Sequence, residues 1–224
     1  MRIEQQSLVD LAVAEIQRLI HTGEYAPGEK LREERLSEQL GISRPPLREA
    51  LRELAHRGIV EQLARKGTRV VSLTFKEVHE IYSLREALER FAVESAFPNP
   101  DPSGLEKMHE ALEAMTDAAR NSDHGAIVRS NRDFHVALVS LAGHERLLKT
   151  YVELMDQMQL CMSDNLRIET VAAGDYEGGV KRHRVLLESI ENGELSGVLT
   201  ALAGHGERAL VSGGAPPLTA GASP

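Results

Sequence analysis

The stretch Leu36-Ser-Glu-Gln-Leu-Gly41-Ile-Ser43-Arg44-Pro45-Pro46-Leu47-Arg48-Glu-Ala50-Leu51-Arg52-Glu-Leu54 decides how this chain folds. Its first residues complete a short helix begun at Glu33, and Gly41 supplies the tight turn that ends it. Ser43 then caps a further helix, on which Leu47, Ala50, Leu51 and Leu54 fall at i, i+3, i+4 and i+7. That period buries one side. On the opposite side Arg44, Arg48 and Arg52 recur every four residues, which places three guanidiniums on one face. Two helices joined by a glycine-containing turn have the form of a helix-turn-helix.

Working outward, Val9, Ala12, Val13, Ile16, Leu19 and Ile20 recur at helical spacing upstream, between an N-capping Ser7 and a stop at Gly23. Ala26-Pro27-Gly28 reads as a turn. Downstream, Gly58 ends the arginine-bearing helix. Ile59–Leu63 and Thr68–Leu73 are two β-prone runs, and Arg65-Lys66-Gly67 between them forms a hairpin tip. A solvated charged face would explain the helix alone. The basic hairpin adds to it, and together they point to nucleic acid. Ser43 offers a hydroxyl and free backbone N–H groups to a phosphate, and arginine pairs with guanine O6 and N7 in the major groove. The glycine at the tip lets backbone approach a strand closely.

Charge is distributed accordingly. The 224 residues carry a net −8, yet residues 1–73 hold 12 basic and 11 acidic side chains, and residues 43–71 hold seven and three. A basic island on an acidic chain marks one face built for an anion. The composition, 42% hydrophobic and 27% charged, is that of a globular protein. No apolar run approaches the ~20 residues that span a bilayer, and Met1–Asp10 has no signal-peptide core. The single cysteine, Cys161, excludes an internal disulfide and a cysteine-cluster metal site. These features lead us to expect a cytoplasmic protein with no membrane partner. Residues 74–97 read as a helix followed by a break at Pro98–Ser103, then amphipathic helices run from 104 to 211. The uncharged tail Ser212–Pro224 is expected to be disordered.

At this point a family resemblance is visible. The text Tyr25-Ala-Pro-Gly-Glu-Lys-Leu31, Leu36-Ser-Glu-Gln-Leu-Gly-Ile-Ser-Arg44, Pro46-Leu-Arg-Glu-Ala-Leu-Arg-Glu-Leu54 and Gly58-Ile-Val60 resembles the winged helix-turn-helix of GntR-family transcription regulators. The resemblance implies that Arg44 and Arg48 contact bases or nearby phosphates and that Gly67 enters the minor groove, with Arg35 and Lys66 on phosphates. The expected DNA-binding set is Arg35, Ser43, Arg44, Pro45, Arg48, Arg52, Lys66 and Gly67. The remainder resembles the FCD branch of that family. The carrying residues are Arg85 and Glu89 in Tyr82-Ser-Leu-Arg-Glu-Ala-Leu-Glu89, then Asn131-Arg-Asp-Phe134-His135, then His183 and His205 on separate helices. The family commonly has Asp where this chain has Asn131.

Position alone already singles out these histidines. Asn131 and His135 stack at i and i+4. His183 is in phase with Val180, Leu187 and Ile190, and His205 with Val198, Ala201, Leu202 and Ala209. An inward histidine is ordinarily a satisfied core residue, but facing helices of a bundle are also where metal sites are built. Asn131, His135, His183 and His205 form the candidate metal set, for Zn, Ni, Co or Mn. Asp133, two residues before His135, faces elsewhere. Without metal the same histidines, with Arg85, would bind an organic anion directly; an Arg85–Glu89 helix pair is the plainer reading of that arginine. Met155, Met158 and Met162, with Leu148, Tyr151 and Cys161, read as core, and the other histidines as surface or structural.

The expected fold is mainly α, with three parts: a winged helix-turn-helix at 1–73, an all-α antiparallel bundle at 76–211 for effector binding and dimerisation, and the tail 212–224. The expected function is a DNA-binding transcription regulator, a repressor, acting as a homodimer on a double-stranded operator. A small effector, a carboxylate, bound at Arg85, His135, His183 and His205 would control operator affinity. Two other readings remain: a regulator for which the metal itself is the signal, and a metal-dependent hydrolase. The hydrolase is disfavoured because no general base stands beside the histidines.

Overall fold

The structure, a computed structural model, describes residues 7–173 and 176–206, with 161–173 as backbone only. The expected tail, Ala209, and the side chains of Cys161 and Met162 lie outside the described residues. The chain divides after Leu73 into two compact units.

The first unit begins with α1 (Leu8–His21), opened by a reciprocal cap in which the Asp10 N–H donates to Ser7 Oγ and the Ser7 N–H to Asp10 Oδ2. Then come β1 (Lys30–Leu31), α2 (Glu33–Leu40) and α3 (Arg44–His56). Gly41 ends α2 at φ +64°, a left-handed conformation that costs glycine nothing. Ser43 enters α3 extended, and proline follows in the first turn, where its missing N–H would have no helical partner anyway. Leu47, Ala50, Leu51 and Leu54 of α3 are buried together with Ile16, Tyr25, Leu36 and Ile59. Each of the leucines and isoleucines among them contributes about 1.5–3 kcal/mol on burial.

The predicted hairpin is β2 (Val60–Leu63) against β3 (Gly67–Val70), antiparallel, with Glu61 opposite Arg69 and Gln62 opposite Thr68. The sequence did not reveal β1. It pairs antiparallel with the other side of β3, Leu31 opposite Thr68, to give a three-stranded sheet in the order β1-β3-β2. Two residues are too few to display a period, and only the buried Leu31 marks the strand.

The second unit is helical throughout its described residues: α4 (Phe75–Ala96), α5 (Pro102–Arg120), α6 (His124–Ser140), α7 (Glu145–Ala173), α8 (Glu177–Glu191) and α9 (Leu195–Gly206). Thr74 and Glu77 form the reciprocal cap that starts α4. The core gathers Met108, Met115, Phe134, Leu138, Leu186, Leu187 and Val198. Met155, Met158 and Tyr151 are buried as expected, while Leu148 is only half-buried and its neighbour Leu147 is buried instead. α4 packs on α6, α7 and α9, and α8 on α5 and α9, so residues from α4, α6, α8 and α9 meet at one place. The fold is thus mainly α with one small sheet. No helix among the described residues is long and apolar enough to cross a membrane.

Candidate functional site

Two groups of polar residues stand out, one in each unit. In the first unit Arg44, Arg48 and Arg52 are exposed on the face of α3 opposite its leucines. Ser43 Oγ makes no capping bond, and Lys66 and Gly67 sit exposed at the hairpin tip beside Arg65, which is left-handed at φ +63°. Pro45 is exposed in the first turn of α3. Arg35 lies with its guanidinium carbon 5.7 Å from the centre of the Tyr25 ring, a cation–π contact. Sequence reading missed that two of the arginines are partnered from α2. Arg48 Nε donates to Glu33 Oε2 at 2.9 Å, and Arg44 Nη2 approaches Glu34 Oε1 at 3.3 Å. No sequence period joins residues 10 and 15 apart across a turn, so only the packing of α2 on α3 reveals these pairs.

In the second unit the structure brings His135 (α6), His183 (α8) and His205 (α9) together, with Asn131 one turn before His135. His183 Nε2 lies 3.3 Å from His135 Nε2, 3.2 Å from His205 Nε2 and 3.2 Å from Asn131 Oδ1. The three imidazoles place ligand atoms all within 4.8 Å of one another. Burial pushes the His183 and His205 imidazoles well below the ordinary histidine range, and burial followed by the Arg85 charge lowers His135. Each shift favours the neutral imidazole, the form that ligates metal.

The tautomers follow from the surroundings. A backbone carbonyl only accepts, so His183 Nδ1, 2.8 Å from Gly179 O, carries the proton and leaves Nε2 as a lone pair. His135 Nδ1 faces Glu89 Oε1 at 3.0 Å, which makes Nδ1–H the donor and Nε2 a second lone pair. Arg85 Nη2 donates to His135 Nε2 at 2.7 Å, and an Nε2–H on His205 would donate to His183 Nε2, so hydrogen bonds hold these nitrogens together in the absence of metal. The same nitrogens with Asn131 Oδ1 are donor types that a divalent cation accepts. Four donors about 2.0–2.1 Å from a tetrahedral ion stand ~3.3–3.4 Å apart. The three spacings measured from His183 Nε2 are close to that separation, and the three imidazole ligand atoms as a group lie within 4.8 Å of one another.

Beside the histidines lies a buried charged cluster. Arg85 Nε donates to Glu89 Oε1 at 2.7 Å, and Arg85 Nη2 also contacts His135, 2.7 Å from Nε2 and 2.9 Å from Nδ1. The Tyr151 hydroxyl from α7 donates to the same Glu89 oxygen. Burial opposes charge on both partners, but the Arg85 guanidinium, then His135, hold the Glu89 carboxyl far below the usual range. Burial likewise opposes charge on Arg85, and Glu89 overrides it and raises its affinity for the proton. Arg85 is thus an engaged cation rather than a free one. Glu89 and Tyr151 were the residues that sequence reading did not assign to this site. Asp133 is exposed and absent from the cluster, as its spacing predicted.

Comparison with known proteins fits both halves. Residues 8–70 match the family described as bacterial regulatory proteins, gntR family, and residues 80–208 match the FCD domain. The chain is 33% identical over 181 residues to the HTH-type transcriptional regulator YdhC of Bacillus subtilis, covering 79% of this chain and 78% of that one. It is 30% identical over 179 residues to a probable D-xylose utilization operon transcriptional repressor of Paenarthrobacter nicotinovorans, covering 78% and 75%. Among solved structures, Escherichia coli McbR/YncC superposes with a TM-score of 0.74 at 24% identity, covering 90% of this chain and 94% of that chain, a likeness of fold. These relatives are regulators rather than enzymes. From the α3 text, the histidine-bearing bundle and these matches together, the chain belongs to the GntR family of transcription regulators, in the branch that carries an FCD domain.

Proposed function

We propose that this regulator is a repressor whose operator affinity is set by a small carboxylate bound in the second unit, through a divalent metal held by His135, His183, His205 and Asn131. The convergence of three imidazoles from α6, α8 and α9 on one place, with the Asn131 amide oxygen beside them, carries this reading. Such a metal would supply a Lewis-acidic point for a carboxylate oxygen. The chain's own residues orient the ligands: Gly179 O and Glu89 fix the tautomers of His183 and His135, the outer-shell role that keeps an imidazole aimed. The P. nicotinovorans relative, named a repressor, supports the direction of control. Arg44, Arg48 and Arg52 with Ser43 and Pro45 would read or grip the operator, and Arg35, Lys66 and Gly67 its backbone and minor groove. A homodimer on two half-sites is the matching geometry. Carboxylate binding that prefers one arrangement of the DNA-binding units changes operator affinity by the reciprocal factor.

The test uses an operator recovered from a random duplex pool by the intact protein. Operator affinity is titrated with a panel of carboxylates for the native protein and for His183→Ala. The native protein should lose operator affinity with some panel member. The variant should keep carboxylate-free operator binding, hold no metal by elemental mass spectrometry, and give no response. An unchanged response in His183→Ala with a native helical spectrum would overturn the pocket assignment.

A further inference from the structure

Of the three arginines in the exposed row on α3, only Arg48 is held at Nε. Glu33 Oε2 accepts there at 2.9 Å, and no other ion pair of Arg48 is found among the described residues. Its two terminal Nη groups, the pair that binds guanine O6 and N7 end-on, are left open. Arg44 differs: its contact with Glu34 is longer, 3.3 Å, uses a terminal Nη, and involves a carboxylate whose side chain is 77% exposed. Arg52 has no ion-pair partner among the described residues. Glu33 itself is half-buried on the first turn of α2, where the positive end of the helix dipole stabilises its charge.

We infer that Glu33 is a positioning residue for sequence discrimination, holding Arg48 by Nε with its fork free while its charge weakens indiscriminate contact with phosphates. The inference rests on the reading that Arg48 contacts a base. An exposed ion pair contributes little to folding, about 0–1 kcal/mol, so its consequence falls on binding. An arginine side chain carries ~2 kcal/mol of rotamer entropy, and fixing it beforehand lowers what the specific complex must still order. Binding to unrelated DNA rests on phosphate contacts instead. A carboxylate beside the row penalises that mode and leaves the oriented base contact in place. The ratio between the two affinities is what Glu33 raises.

The test uses full-length protein, the consensus duplex recovered from a random pool, and an unrelated duplex of equal length at the same salt. Affinities are read by fluorescence anisotropy for the native protein, Glu33→Ala, Glu33→Gln and Arg48→Ala. Glu33→Ala should bind the unrelated duplex about threefold tighter while its consensus-to-unrelated ratio falls about tenfold. Glu33→Gln, whose amide oxygen still accepts from Nε, should regain native consensus affinity yet keep the tighter unrelated binding. If both Glu33 variants tighten both duplexes by one factor, Glu33 is only a charge and the inference fails. Native consensus affinity in Arg48→Ala would overturn the reading of α3 beneath it. Weakened Arg48→Ala with an unchanged ratio in Glu33→Ala would overturn the inference alone.

Discussion

Arg85 and Glu89 show how much depends on one buried pair. Their side chains are 8% and 4% exposed, and the single oxygen Glu89 Oε1 takes Arg85 Nε, the Tyr151 hydroxyl and His135 Nδ1. Removing the carboxylate charge leaves a guanidinium in a site that water does not reach. Glu89→Gln should therefore destabilise the protein by about 3–5 kcal/mol, the cost of stranding a buried charge, measured by urea denaturation. A loss below ~1 kcal/mol, the range of exposed pairs, would mean that water reaches Arg85. The sequence announces the four-residue spacing of Arg85 and Glu89, which suits an exposed helix pair equally well. It is silent on Tyr151, 62 residues away, and on the tautomer that Glu89 imposes on His135. The histidines were legible because each sits in phase with apolar neighbours on its own helix. Their partners were not, because those contacts run between helices.

At the scale of elements, the contact of α5 with α6 turns on Gly104. A Cβ there would stand 2.8 Å from Leu141 Cδ2, 3.0 Å from Ser140 Oγ and 3.3 Å from the Leu141 nitrogen. Alanine improves helix propensity by about 1 kcal/mol over glycine, but forcing extra volume into a packed contact costs about 1–3 kcal/mol. Because Leu141 is itself buried and its backbone is one of the three neighbours, packing should win. Gly104→Ala is expected to lower stability by about 1 kcal/mol net, read as a fall in the urea midpoint at constant slope. A rise would show that the end of α6 yields freely. The same scale explains what the sequence reading caught. α1, α2, α3 and the β2–β3 hairpin each carry their own period and punctuation, and Gly41 marks its turn because a left-handed residue is needed there. β1 was missed because two residues show no alternation, and Gly104 because a glycine in the first turn of a helix looks the same whether or not another helix presses on it.

For the whole molecule the decisive quantity is charge at the histidine cluster. Arg85 and Glu89 cancel, an imidazole carries no negative charge, and Asn131 adds none, so the ligand set brings no negative charge to a divalent cation. Asn131→Asp supplies one carboxylate within reach of His183 Nε2, at a position 9% exposed. Its effect should reverse sign with occupancy. Without metal, the variant has exchanged a buried amide for a buried carboxylate, whose charge is costly to desolvate, and should melt below the native protein. With Zn, Ni or Mn, the added charge strengthens coordination. Because a ligand that binds only the folded state stabilises it by RT ln(1 + [L]/Kd), about 2.7 kcal/mol at a hundredfold excess over Kd, the variant should then melt above the native protein. Scanning calorimetry of both proteins in chelator and in each metal, with metal retained after dialysis counted by elemental mass spectrometry, reads the crossing directly. If neither melting temperature moves with any of the three metals and neither protein retains one, the cluster does not bind metal, and control of operator affinity through a metal-held carboxylate is overturned.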